Sequence, residues 1–157
     1  MSNKKRFVKP SILFDYANSV FDEGKSIKIS VAGNSMYPFL RDKIDDVEIR
    51  RVSYNDVKVA DIVLIKKDES YILHRVFKKN EKEFYIVGDA QVVLEGPYTK
   101  DQLVGKVLSI YRKNKKISCK SIPYKFLVRL WMLIRPLRLV IINSYLRFRN
   151  KTALKSR

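Results

Sequence analysis

One cysteine, one histidine and one tryptophan occur in 157 residues, and no acidic residue follows Asp101. Each scarcity excludes something. A lone Cys119 permits neither a disulfide framework nor a cysteine-built zinc site, and it gives no sign of an oxidising compartment. No metal site and no cofactor is expected. Long apolar runs are also missing: the longest uncharged stretch of the C-terminal region, Leu139 to Leu146, is far short of the ~20 residues that span a bilayer. Near the start, Lys4, Lys5 and Arg6 could form the positive end of a secretory signal. An apolar run of at least about seven residues should follow, but Lys9, Pro10 and Asp15 break up Ser11-Ile12-Leu13-Phe14. No signal peptide or N-terminal anchor is expected, which places the chain on the cytoplasmic side. Internal repeats and low-complexity segments are absent as well.

What is present is apolar enough to fold: 46% hydrophobic and 11% aromatic residues are too many for a disordered basic tail. The length suits one domain with a short appendage. The net charge of +17 is unevenly placed. Residues 1–101 hold 18 Lys+Arg and all 16 acidic residues, whereas residues 102–157 hold 15 basic residues and no acid. The sequence therefore divides into a nearly neutral domain, 1–112, and a basic segment, 113–157, that should meet something anionic.

Hydrophobic spacing gives the elements. Ile12, Leu13, Tyr16, Val20 and Phe21 recur at helical intervals, so 11–23 is expected as a short helix, begun at Ser11 and ended at Gly24. From Ser26 the period falls to two, and Gly33 ends that strand. Further strands are expected at Val47–Val52, Asp61–Lys66, Tyr71–Lys78, Glu83–Val87 and Val104–Tyr111, joined by short polar turns. Tyr124 to Arg149 reads as two basic amphipathic helices meeting near Pro136. The expected class is α+β: a β-rich domain with a short N-terminal helix and C-terminal helices.

The chemistry concentrates in three segments. In Gly33-Asn34-Ser35-Met36-Tyr37-Pro38 a serine follows a strand and a glycine, with a proline shaping the turn. A serine needs a base to become a nucleophile. The natural base is His74, whose ordinary pKa near 6.5 leaves it able to accept a proton at neutral pH. Alternation on the strand puts His74 and Val76 on one face and Leu73 and Arg75 on the other. Asp89, just after Glu83–Val87, is the best-placed acid to orient the imidazole.

These segments together resemble serine peptidases of the signal peptidase and LexA-type repressor superfamily. The nucleophile box Gly-x-Ser-Met-x-Pro is matched at 33–38, and Val59-Ala60-Asp61-Ile62-Val63 stands where the family usually has Gly-Asp-Ile/Val-Val. His74-Arg75-Val76, Val87-Gly88-Asp89-Ala90 and Val104-Gly105-Lys106-Val107 follow in the family's order. The resemblance covers about Lys28 to Tyr111 and is closest to the histidine-base branch, in its short anchorless bacterial form. It implies that Ser35 attacks a peptide carbonyl and His74 serves as base. It further implies that Asp89 orients His74, with Glu95 as a second supporting acid, and that the Ser35 N–H helps hold the oxyanion. Gly33, Asn34, Met36 and Pro38 shape that loop, and Gly33 can add no side-chain donor. Lys66 or Lys67 is a weaker candidate base.

The substrate implied is a precursor, signal or leader peptide. A non-catalytic peptide-binding module and a nucleic-acid-binding regulator are the alternatives. The C-terminal segment is dominated by Leu, Ile, Val and Trp, poor material for reading bases, so nucleic acid is disfavoured. An anionic membrane surface fits better, with Lys115, Lys116, Arg129, Trp131, Arg135 and Arg138 expected as contacts alongside Tyr124 and Tyr145.

Overall fold

The period-two segments that begin at Ser26 form strands of one sheet. The computed structural model describes residues 17–113 and 115–144. Helical residues 17–22 (α1) precede β1 (Ser26–Ser30), β2 (Asp45–Arg50), β3 (Ile62–Lys67), β4 (Ser70–Lys79), β5 (Glu83–Val87), β6 (Glu95–Thr99), β7 (Leu103–Arg112) and β8 (Lys115–Ser118). Helix α2 (Ile122–Leu133) follows, then a 3-10 turn at Arg135–Leu137 and helical residues 138–144 (α3). The eight described strands pair antiparallel in the order β1-β2-β7-β3-β4-β5-β6, with β8 added to β7. The class is α+β, as expected.

Two strands organise the sheet. β3 is apolar at four successive positions because both of its faces are covered. Ile62 and Leu64 enter a core shared with Phe21, Met36, Leu40 and Val107, while Val63 and Ile65 enter a second core with Val76, Phe84 and Ile86. At roughly 1.5–3 kcal/mol per fully buried aliphatic side chain, β3 joins both halves of the interior. β7 is ten residues long and changes partner along one edge: Leu103, Gly105 and Lys106 pair with β3, and Ser109–Arg112 pair with β8. Its other edge pairs with β2.

The boundary expected after residue 112 falls inside this sheet. β8 extends it, and Tyr124 and Val128 of α2 are buried in the first core, with Met132 packed beside them. Over its described part, the segment expected as a basic tail is therefore built into the domain. Its apolar residues supply a packing face for the sheet. The two helices do meet at Pro136, where the 3-10 turn interrupts them. Of the expected helix 11–23, residues 11–16 lie outside the described residues, as do 145–157 with Tyr145.

Two strands go beyond the sequence reading. β6 is Glu95-Gly96-Pro97-Tyr98-Thr99, whose Gly-Pro reads as a turn; it is tolerated because β6 lies at the sheet edge. β8 is short and begins with two lysines, so it carries no alternation to detect.

Gly105 marks a close approach of β7 to β2. A Cβ there would stand 2.8 Å from Arg50 O and 2.8 Å from Ile49 Cγ2. Gly105→Ala must push the two backbones apart, and a destabilisation of roughly 1–3 kcal/mol is expected in urea unfolding. Unchanged stability would show that the strands can separate freely here.

Candidate functional site

The loop between β1 and β2 carries Ser35. Gly33 takes φ +86°, a left-handed conformation natural to glycine, and its N–H donates to Asp42 Oδ1 at 2.9 Å. Met36 and Leu40 bury their side chains in the first core, and the Leu40 N–H donates to Met36 O, so the turn is anchored from beneath. Its far end is fixed by buried Asp45, which accepts from Arg112 Nε and Nη2 at 2.8 and 2.6 Å. Arg112 also donates to Phe39 O at 3.0 Å. Asn34 is exposed, while Ser35 and Pro38 are half-buried.

His74 is buried on β4, opposite Val63 of β3. Its Nδ1 lies 3.2 Å from Glu95 Oε1, without the alignment of a hydrogen bond. The other Glu95 oxygen accepts from Lys67 Nζ at 3.0 Å. Burial drives the His74 pKa below its ordinary 6.5 and outweighs the opposing pull of the Glu95 and Asp89 charges. The imidazole is thus held neutral, the form that accepts a proton. Lys67 moves the other way: its bond to Glu95 raises its pKa and favours the ammonium, the form that cannot accept a proton.

Asp89 is placed differently from the expectation. Its fully buried carboxylate accepts from Arg75 Nε at 2.8 Å and Arg75 Nη2 at 2.6 Å, a bidentate pair. It is Glu95 that faces His74 Nδ1. The reason lies in strand alternation: His74 and Arg75 point to opposite faces of β4, and a buried guanidinium requires a partner on its own side. Burial opposes the Arg75 charge, but Asp89 and Tyr124 together more than offset this, and the Arg75 pKa is raised. Arg75 Nη1 donates to Ala60 O at 2.7 Å, and the guanidinium lies over the Phe39 ring. Ala60 itself sits at φ +79°, at the position where the resemblance expects glycine.

The box around Asp89 also reaches the serine loop. The Ala90 N–H donates to Ser35 O at 2.8 Å, and Gly88 passes so close that a Cβ would stand 2.6 Å from the same oxygen. Ser35 and His74 share no direct hydrogen bond. They are joined through a relay: His74 is followed by Arg75, Arg75 grips Asp89, and the next residue, Ala90, holds the Ser35 backbone.

Three residues expected at a membrane surface instead clamp this box. Trp131 Nε1 donates to Asp89 O at 2.9 Å, and Arg135 donates twice to Val92 O, at 3.0 and 2.7 Å. Arg138 is fully buried, donates to Trp131 O at 3.1 and 3.0 Å and makes longer contacts to Gly88 O and Gln91 O. Their guanidinium and indole groups are consumed by main-chain carbonyls, which leave no trace in a sequence. Of the other expected contacts, Lys115 and Arg129 are exposed, and Lys116 is exposed but paired with Glu48 at 3.1 Å.

Sequence reasoning missed Arg75 as the partner of Asp89 and Lys67 as the partner of Glu95. An arginine among apolar residues on a strand was the available signal for the first. Cys119 is inert by environment, since burial pushes its thiol up to about 11. Among the described residues no group of three or more His, Cys, Asp or Glu could hold a metal ion. No helix among them is long and apolar enough to cross a membrane. Comparison with protein-family models, curated proteins and solved structures found no match.

Asp89→Asn would leave the Arg75 guanidinium buried without its counter-charge. A loss of about 3–5 kcal/mol is expected in chemical denaturation. A near-neutral result would show that the pair does not hold the site together.

Proposed function

We propose that the chain is a serine endopeptidase of the signal peptidase and LexA-like type, cleaving a precursor, signal or leader peptide. The observation that carries the reading is His74. The chain's single imidazole is buried, biased toward its neutral form and set with Nδ1 against Glu95, in a frame shared with the Ser35 loop. The ordered boxes from Gly33 to Val107 support it independently.

In this mechanism Ser35 Oγ attacks the scissile carbonyl carbon while His74 Nε2 takes the hydroxyl proton. The resulting oxyanion is held by the Ser35 backbone N–H. Collapse breaks the C–N bond as His74 returns the proton to the leaving amine. Water, deprotonated by the same nitrogen, then hydrolyses the acyl-serine ester. Glu95, on the Nδ1 side of the ring, stabilises the imidazolium by its charge; the sequence reading had Asp89 orienting the imidazole, with Glu95 as a second supporting acid. Asp89 acts through Arg75 as a structural tie. We place this work at an anionic membrane surface on the cytoplasmic side, as a peripheral protein.

A fluorophosphonate probe tests the nucleophile. Covalent labelling at Ser35 is expected in the wild type and none in Ser35→Ala, with His74→Ala slower by roughly 100-fold or more. An unlabelled, folded wild type would favour a groove that holds peptide without cutting it.

The pH profile tests the base. Only neutral His74 can take the proton, so labelling should rise with pH through a midpoint below 6.5. The Glu95 charge favours the imidazolium, so Glu95→Gln should move the midpoint lower still and slow the reaction. A midpoint unmoved by that substitution would remove Glu95 from the mechanism.

A further inference from the structure

Helix α2 has two apolar faces, and only one has a partner among the described residues. Tyr124 and Val128 face the first core, with Trp131 and Met132 beside them. On the opposite side Ile122, Phe126, Leu130 and Leu133 recur at helical spacing and are 83%, 67%, 47% and 79% exposed. Past the Pro136 turn, Leu137 is 58% and Val140 65% exposed as well. Water-facing helix surfaces are ordinarily polar, and an apolar row of this length marks a binding surface.

Charge identifies what it binds. Lys125 and Arg129 lie along one flank of the row, and with Lys58 and Lys120 they border a cavity of about 350 Å³. None of these four forms an ion pair among the described residues. The acid that lines this cavity, Asp61, is already taken by Lys106 at 3.0 Å. An apolar row bordered by unpaired cations, with no acidic residue anywhere after Asp101, complements an anionic bilayer surface.

We infer that the outward face of α2 docks in the plane of an anionic membrane, with Phe126 and Leu133 entering the acyl boundary and Lys125 and Arg129 meeting headgroup phosphates. Of the contacts the sequence suggested, this keeps Arg129 and parts from three others. Trp131, Arg135 and Arg138 face the Gly88–Val92 loop and stay out of the lipid. The same helix thus touches membrane on one side and steadies the catalytic loop on the other. The inference rests on the membrane location within the proposed function, and is independent of its catalysis.

Vesicle co-sedimentation of the full chain is the test. Strong binding is expected to phosphatidylcholine vesicles containing phosphatidylglycerol, with binding on the order of 100-fold weaker to phosphatidylcholine alone. Phe126→Asp combined with Leu133→Asp should abolish binding while leaving the melting temperature and Ser35 labelling unchanged. Since Trp131 is the only tryptophan, a lipid-borne quencher should leave wild-type emission intact and quench the added signal in Phe126→Trp. Quenching of Trp131 itself, equal binding to neutral vesicles, or no binding would each overturn the inference. So would a dimer, seen by analytical ultracentrifugation, that the double variant dissolves. Vesicle binding without Ser35 labelling would remove the peptidase reading and leave the docking face standing; labelling without vesicle binding would do the reverse.

Discussion

A charged guanidinium sealed from water is costly unless an acid on the same side matches it, and the pairing of Arg75 with Asp89 is the constraint on which the candidate site depends. Both side chains are fully buried, and both Asp89 oxygens are used. Removing two charges from water costs several kcal/mol per ion, so such a pair contributes little net stability. What it supplies is position. It fixes the end of β5 against the middle of β4, and through Ala90 it fixes the serine loop. Misplacement of that loop by an ångström would cost a reaction far more than the pair could add to stability.

The site thereby separates two tasks that acids often share. One carboxylate, sealed from solvent, acts as a mechanical tie. The other, Glu95, stays partly exposed and balanced between Lys67 and His74. The environment makes the distinction: Asp89 sits beneath α2 among arginines, and Glu95 sits on an edge strand. An acid on the edge can respond to charge appearing on the imidazole, whereas one locked in a bidentate pair cannot.

Much of this was legible from residues alone. The core strands showed their alternation, and β3 showed four apolar residues in a row because both its faces are covered. Ser35, His74, the Gly88-Asp89 box and the Val104–Val107 box were visible as ordered segments, and two of their glycines have steric reasons: Gly88 lies under Ser35 O and Gly105 against Arg50 O. The division of labour between Asp89 and Glu95 was not legible. It depends on which face of β4 each neighbour uses and on β6, whose Gly-Pro disguises a strand. Arg135, in the turn after α2, and Arg138, at the start of α3, were misread for a different reason. A positive charge in a sequence suggests an anionic partner, yet Arg135 and Arg138 are occupied by carbonyl oxygens, which every residue possesses. Arg138 shows the cost of that choice, since burial outweighs the pull of the Asp89 charge and lowers its pKa.

A clamp that grips main-chain oxygens is indifferent to the side chains on the segment it grips. Trp131, Arg135 and Arg138 would hold residues 88–92 equally well with other side chains at Gln91 and Val92, provided the backbone kept its path. Gln91 and Val92 of the loop that borders the candidate site are therefore free to drift in sequence, and to acquire new preferences for what they touch. Gly88 and Asp89 stay constrained by Ser35 O and Arg75, and the path of the loop is set by three residues some forty positions downstream. The helical segment and the Gly88-Asp89 pair are the conservative part of this arrangement, and positions 91 and 92 are its adaptable part.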